Sequence, residues 1–221
     1  MVGDQNAELI TLLHLAMTHR SGECAVNDFA VQLFRTMGYV HRERVARTRK
    51  DLALQICGEL RHAKTDVCIV DRNINDIILL VQEDRRVEDG ENPIAEAQLV
   101  ALAIAAFADS EKNRNREARG LEPLLKRSFH SFISHCLDLA FTLWIMPGIT
   151  MIGTSPTFYK IPVTPALVDN VCFGTYPQEA TIVTYCSPPL GRRYSEGMKP
   201  LDNRKAILSC YEAFKSVVGN Q

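Results

Sequence analysis

The chain is short of net charge and of ordered cysteine spacing, and each shortage excludes something. Across 221 residues, 25 Lys and Arg stand against 26 Asp and Glu, a formal charge of -1. No global field draws such a chain to nucleic acid or to an anionic surface, so any affinity of that kind must come from local patches. Seven cysteines are present, an odd number with no Cys-x-x-Cys and no Cys/His ligand spacing. They read as small apolar residues in a reducing compartment, which argues against a disulfide framework and against zinc. The opening MVGDQNAEL carries acids and no long apolar stretch, so no secretory signal is read there and an intracellular place, cytoplasm or nucleus, is expected. One long apolar run, Ser128 to Met146, approaches membrane-spanning length but includes His130, His135 and Asp138, each costly in lipid. No membrane association is expected. The run reads as a buried or partner-binding helix, or else as translated non-coding sequence, since Ser, Phe, Leu, His and Cys share pyrimidine-rich codons.

What is present centres on Thr65 to Arg86, TDVCIVDRNINDIILLVQEDRR. The runs Asp66 to Asp71 and Ile77 to Gln82 are rich in β-branched and apolar residues, and Arg72 to Asp76 between them supplies turn formers. Both runs are apolar on both faces, as in strands covered by helices on each side. A tight turn centred on Ile74-Asn75 pairs Val70 with Leu79, Cys68 with Val81, Asp66 with Glu83 and Lys64 with Arg85. An odd-length loop shifts that register by one and separates Asp66 from Glu83. In the first register two carboxylates lie about 5 Å apart and repel by about 3 kcal/mol at an effective dielectric near 20. Such a pair favours a raised pKa or a bound cation, and hard divalent Mg2+ or Mn2+ suits an oxygen-lined site completed by water and phosphate.

Around this hairpin the pattern predicts a helix over Ala7 to Met17 and a second from Gly22 or Glu23 to Met37, stopped by Gly38. His41 to Lys50 is strongly cationic, with Arg47, Arg49 and Lys50 as candidate phosphate contacts, and Lys112 to Arg119 is a second basic run; solvated surface is the bland alternative for both. Asp51 to Cys57 reads as a strand and Gly58 to Ala63 as its connection onward. Pro93 suits a first helical position, and Ile94 to Asp109 predicts a buried helix on which Gln98 is the one interior-looking amide. Ile149 to Ser155 and Thr157 to Thr164 read as two further strands. Val168 to Thr175, Thr181 to Cys186 and a helix over Asn203 to Val218 complete the chain.

An Asp opening one strand and Glu83-Asp84-Arg85 closing the next resemble the PD-(D/E)XK, or restriction endonuclease-like, nuclease superfamily. The helix ending in Gly38-Tyr39 and the order helix, three strands, helix, strand from about Gly22 to Thr164 carry the resemblance further. It implies a single α/β (α+β) domain with a central mixed sheet of about 4–6 strands flanked by helices, and an atypical segment at 120–147. It also implies metal held by Asp66, Glu83 and the Asp84 carbonyl, with supporting roles for Asp28 or Glu23 on the first helix, Glu59 before the hairpin, and Gln98 beside the metal. Ordinary explanations stand next to each: the acids favour a helix N-terminus or face solvent, and the glutamine is simply hydrogen-bonded.

The chain departs from that pattern where the superfamily has lysine. Arg85 stays protonated and serves as no base, although it can bind phosphate. Lys64, opposite Arg85 in the expected register, offers a substitute. Two functions follow from the resemblance: a Mg2+- or Mn2+-dependent hydrolase of nucleic-acid phosphodiesters, with a homodimer one way to cut both strands, or an inactive nuclease-fold module binding nucleic acid or protein. A third reading makes the hairpin part of an unrelated α/β domain.

Overall fold

The computed structural model describes residues 2–18, 22–83, 94–117 and 143–219, and the side chains of all of these but 2–5, 22–23 and 115–117. Two helices come first, α1 (Val2–Ala16) and α2 (Gly22–Thr36). The second stops as expected: Gly38 takes φ 76°, a left-handed conformation that favours glycine, and the Tyr39 N–H donates back to the Phe34 carbonyl at 2.9 Å.

The next four strands, β1 (Arg44–Thr48), β2 (Asp51–Ile56), β3 (Glu59–Lys64) and β4 (Val67–Asp71), are two halves of one long ribbon. Arg44 opposes Asp71, Thr48 opposes Val67, Asp51 opposes Lys64 and Ile56 opposes Glu59, so a single register runs from end to end. Cys57-Gly58 closes the tip with φ of 51° and 79°. Two positive values make the kind of two-residue turn that matches strand twist. The ribbon bends where Arg49-Lys50 faces Thr65-Asp66. Arg49 sits at φ 53°, its N–H donates to the Asp66 carbonyl at 3.3 Å, and the Thr65 N–H donates to the Lys50 carbonyl at 3.0 Å.

This ribbon corrects the reading of Gly58 to Ala63 as a connection: it is mostly strand β3. The cationic stretch likewise contains strand β1, which its charges hid.

With β5 (Ile77–Glu83), β6 (Trp144–Ile152), β7 (Ser155–Val163) and β8 (Thr184–Cys186), a six-stranded sheet forms in the order β1-β4-β5-β6-β7-β8. Only β5 and β6 pair in parallel, so the sheet is mixed. Helices α3 (Ile94–Glu117), α4 (Pro165–Phe173) and α5 (Leu201–Gly219) complete a mixed α+β fold in which helices flank a central sheet.

Both faces of β4 and β5 are covered, as their unbroken apolar sequence requires. On one side Val67, Leu79, Val81, Ile149 and Met151 meet Phe29, Leu33 and Phe34 of α2 and Tyr211 and Phe214 of α5. On the other, Cys68, Leu80, Met146 and Ile161 meet Leu99, Leu102, Ala103 and Ala106 of α3, and the bent ribbon adds Leu52 and Leu54. Small residues let α3 lie close. A Cβ added at Gly148 would stand 2.8 Å from Leu99 Cδ2.

The first of the two late strands begins earlier than expected, at Trp144, so Trp144 to Met146 belong to β6 and not to an apolar helix. The rest of that run, 128–142, lies outside the described residues. Helix α3 runs on past Asp109 to Glu117, and Val168 to Phe173 belong to helix α4.

Candidate functional site

The site follows from one register. Val67 opposes Val81 and Cys68 opposes Leu80, with a shift between Ile69 and Val70 before the turn. Asp66 therefore faces Gln82, one residue away from the expected Glu83. The correction has a physical cause: the turn closes with Val70 opposite Ile77, two residues off the expected centre, and the irregularity at Ile69/Val70 restores only one of them.

Alternation then separates the two carboxylates. Gln82 shares its face with Leu80 and Thr150, toward α3, whereas Glu83 is level with Met151, on the face of α2 and α5. Asp66 belongs with Gln82. Its Oδ2 accepts the Gln82 amide at 2.6 Å and the Glu83 backbone N–H at 2.8 Å, and the same Gln82 amide nitrogen lies 3.3 Å from Gln98 Oε1. Gln98 is thus brought to Asp66 through Gln82, in the neighbourhood that the resemblance implied. Gln82 is only 8% exposed, and among the described residues its Oε1 accepts no hydrogen bond.

The other expected residues disperse. Lys64 ends β3 opposite Asp51, so it does not pair across the β4–β5 hairpin, although it stands two residues before Asp66. Glu59 is at the far tip of the ribbon, paired with Arg61. Asp28 is exposed on α2, and Glu23 begins the same helix with its side chain outside the described residues. Asp84 and Arg85 also lie outside them. Arg47 and Arg49 are exposed beside Asp66. Lys50 is not: it is 9% exposed, donates to the Asn75 carbonyl at 3.2 Å, and lies 3.8 Å from Asp109. It ties the ribbon bend to the β4–β5 turn.

Residues that sequence reasoning passed over extend the polar row. Beyond Gln82 and Thr150, Tyr159 of β7 donates to Glu96 Oε1, in the first turn of α3, at 2.7 Å. Burial pushes the Tyr159 phenol well up, and the Glu96 carboxylate that accepts its proton holds it there. The only sequence signal was Gln82 itself, a polar residue ending an apolar strand.

A divalent ion of the kind the resemblance implies does not fit the described residues. Mg2+ is commonly met by one or two carboxylates plus water and phosphate. Among the described residues no group of three His, Cys, Asp or Glu converges, and Asp66 already accepts two N–H donors on one oxygen. Those donors also present hydrogen where a cation would need a lone pair. No helix among the described residues is long and apolar enough to cross a membrane.

Comparison with protein-family models, with curated proteins and with solved structures gives no match.

Proposed function

We propose that this chain is a nuclease-fold module that binds nucleic acid through its phosphates without hydrolysing it. One observation carries the reading. Around the bend of the ribbon the acids are engaged and the exposed cations are not: Asp66 accepts Gln82 and Glu83, and Asp51 lies 3.2 Å from His62. The side chains of Arg47, Arg49 and Lys64 have no hydrogen bond or ion pair among the described residues. They occupy alternate rungs, opposite Cys68, Asp66 and Asp51. Four residues separate the outer rungs, a span of at most about 13 Å across the bend, which is the reach of two or three phosphates along a single strand. Exposed guanidinium and ammonium groups at that spacing suit a phosphate backbone.

Absence of hydrolysis is supported by the register, in which Asp66 and Glu83 belong to opposite faces. The Arg85 substitution agrees, since an arginine cannot take a proton from water.

The test uses a labelled single-stranded oligonucleotide. Wild type binds it, the Arg47→Gln/Arg49→Gln/Lys64→Gln variant binds at least about tenfold more weakly, and Mg2+ or Mn2+ produces no cleavage that Asp66→Asn removes. Metal-dependent cleavage lost in Asp66→Asn would replace this reading with the hydrolytic one. Equal binding by the triple variant would remove the cationic bend from the account.

A further inference from the structure

Away from the bend, a groove of about 630 Å3 opens between β2, α3, α4 and the β7–β8 edge. Its walls are aliphatic, with Leu54 and Ile56 from the ribbon, Leu99 and Ile104 from α3, and Val183 beside Tyr185. Among the described residues its one charged lining residue is Glu96. That carboxylate accepts Tyr159 on one oxygen and pairs with no cation among the described residues. It stands in the first turn of α3, where the helix dipole favours negative charge.

The groove is continuous with an unguarded sheet edge. β8 is the last strand of the sheet, and Thr184, Tyr185 and Cys186 are all exposed. No backbone hydrogen bond reaches its outer side among the described residues. Natural edges are blunted by charge or proline within the strand or by keeping the strand short, and three-residue β8 has only its shortness. The opposite edge, β1, follows that rule with Arg44 and Arg47, whereas β8 carries neither. Exposed apolar side chains border it instead, Ile182 at 74% and Tyr185 at 71%.

We propose that the β8 edge and this groove dock an extended peptide, which adds to the sheet as a further strand, sinks an apolar side chain among Ile56, Val183 and Tyr185, and sets a basic side chain at Glu96. Main-chain pairing gives such a complex its affinity, and the groove with its single carboxylate gives it selectivity. Phosphates are disfavoured here by the same carboxylate, so this surface is separate from the cationic bend.

A fluorescein-tagged peptide alternating valine and lysine serves as the probe, read by anisotropy. It binds the wild type about tenfold more tightly than its valine–glutamate counterpart, and Glu96→Arg reverses that order. Methylating the peptide nitrogens along one edge abolishes binding. Ala97→Trp, on the exposed surface of α3, fills the groove without changing charge and weakens binding by about the same factor; its circular dichroism matches wild type. Equal binding of both peptides, or binding indifferent to Ala97→Trp and to N-methylation, overturns the proposal.

Discussion

At the residue scale the decisive side chain is Gln82. Its amide holds Asp66, so the carboxylate is a structural acceptor that satisfies two donors, one from the side chain and one from the Glu83 backbone. Removing it strands both donors in a partly buried place. Asp66→Ala therefore lowers stability by about 1–3 kcal/mol in urea denaturation, while Asp66→Asn, whose amide oxygen still accepts, loses less. An unengaged catalytic carboxylate would behave in the opposite way, with the alanine variant neutral or more stable. The sequence singled out Asp66 and Gln98, which the fold brings together through Gln82; it did not single out Gln82, Thr150, Tyr159 or Glu96. Single polar residues at the ends of apolar elements carry no periodic signal, and only the register decides which of them meet.

At the scale of elements, the sequence spoke clearly where apolar residues set a period. α2 with its glycine stop, β4, β5 and the alanine-rich α3 all lie where the pattern put them. It failed for β1 and β3, because the ribbon carries arginine, histidine and glutamate on strands of which little is buried, and charge masks alternation there. The register of β4 on β5 was missed for a different reason. The turn closes with Val70 opposite Ile77, two residues off the expected centre, the irregularity at Ile69/Val70 restores one of them, and no residue type announces either. The contact of α3 with β6 is the tightest test of the layer arrangement. Gly148→Val drives Cβ into Leu99, 2.8 Å away, and costs about 1–3 kcal/mol by overpacking. Leu99→Ala on the same background recovers part of that loss, a coupling that thermal denaturation of the four variants measures.

For the whole molecule, the deep placement of three tyrosines sets a limit on alkaline stability. Burial pushes Tyr39, Tyr159 and Tyr211 above the ordinary phenol range, with carboxylates Glu212 and Glu96 adding to the first two. Folded pKa values above the unfolded value of about 10 mean that the folded state holds more protons in that window. Their stabilising effect is complete below pH about 10 and falls as pH rises beyond it. Urea midpoints therefore drop between pH 9 and pH 11, and Tyr39→Phe flattens the drop; a midpoint constant over that range would show that these phenols titrate as they do in the unfolded chain.

A chain with a net charge of -1 has no general attraction for nucleic acid, so the account rests on three cations at one bend. The salt dependence of oligonucleotide binding counts them. For a single strand, each neutralised phosphate contributes about -0.7 to the slope of log K against log salt, so three contacts give a slope near -2. The account predicts that slope for wild type and one near zero for Arg47→Gln/Arg49→Gln/Lys64→Gln. A slope unchanged by the triple substitution would contradict it, because the phosphates would then be held somewhere other than the bend of the ribbon.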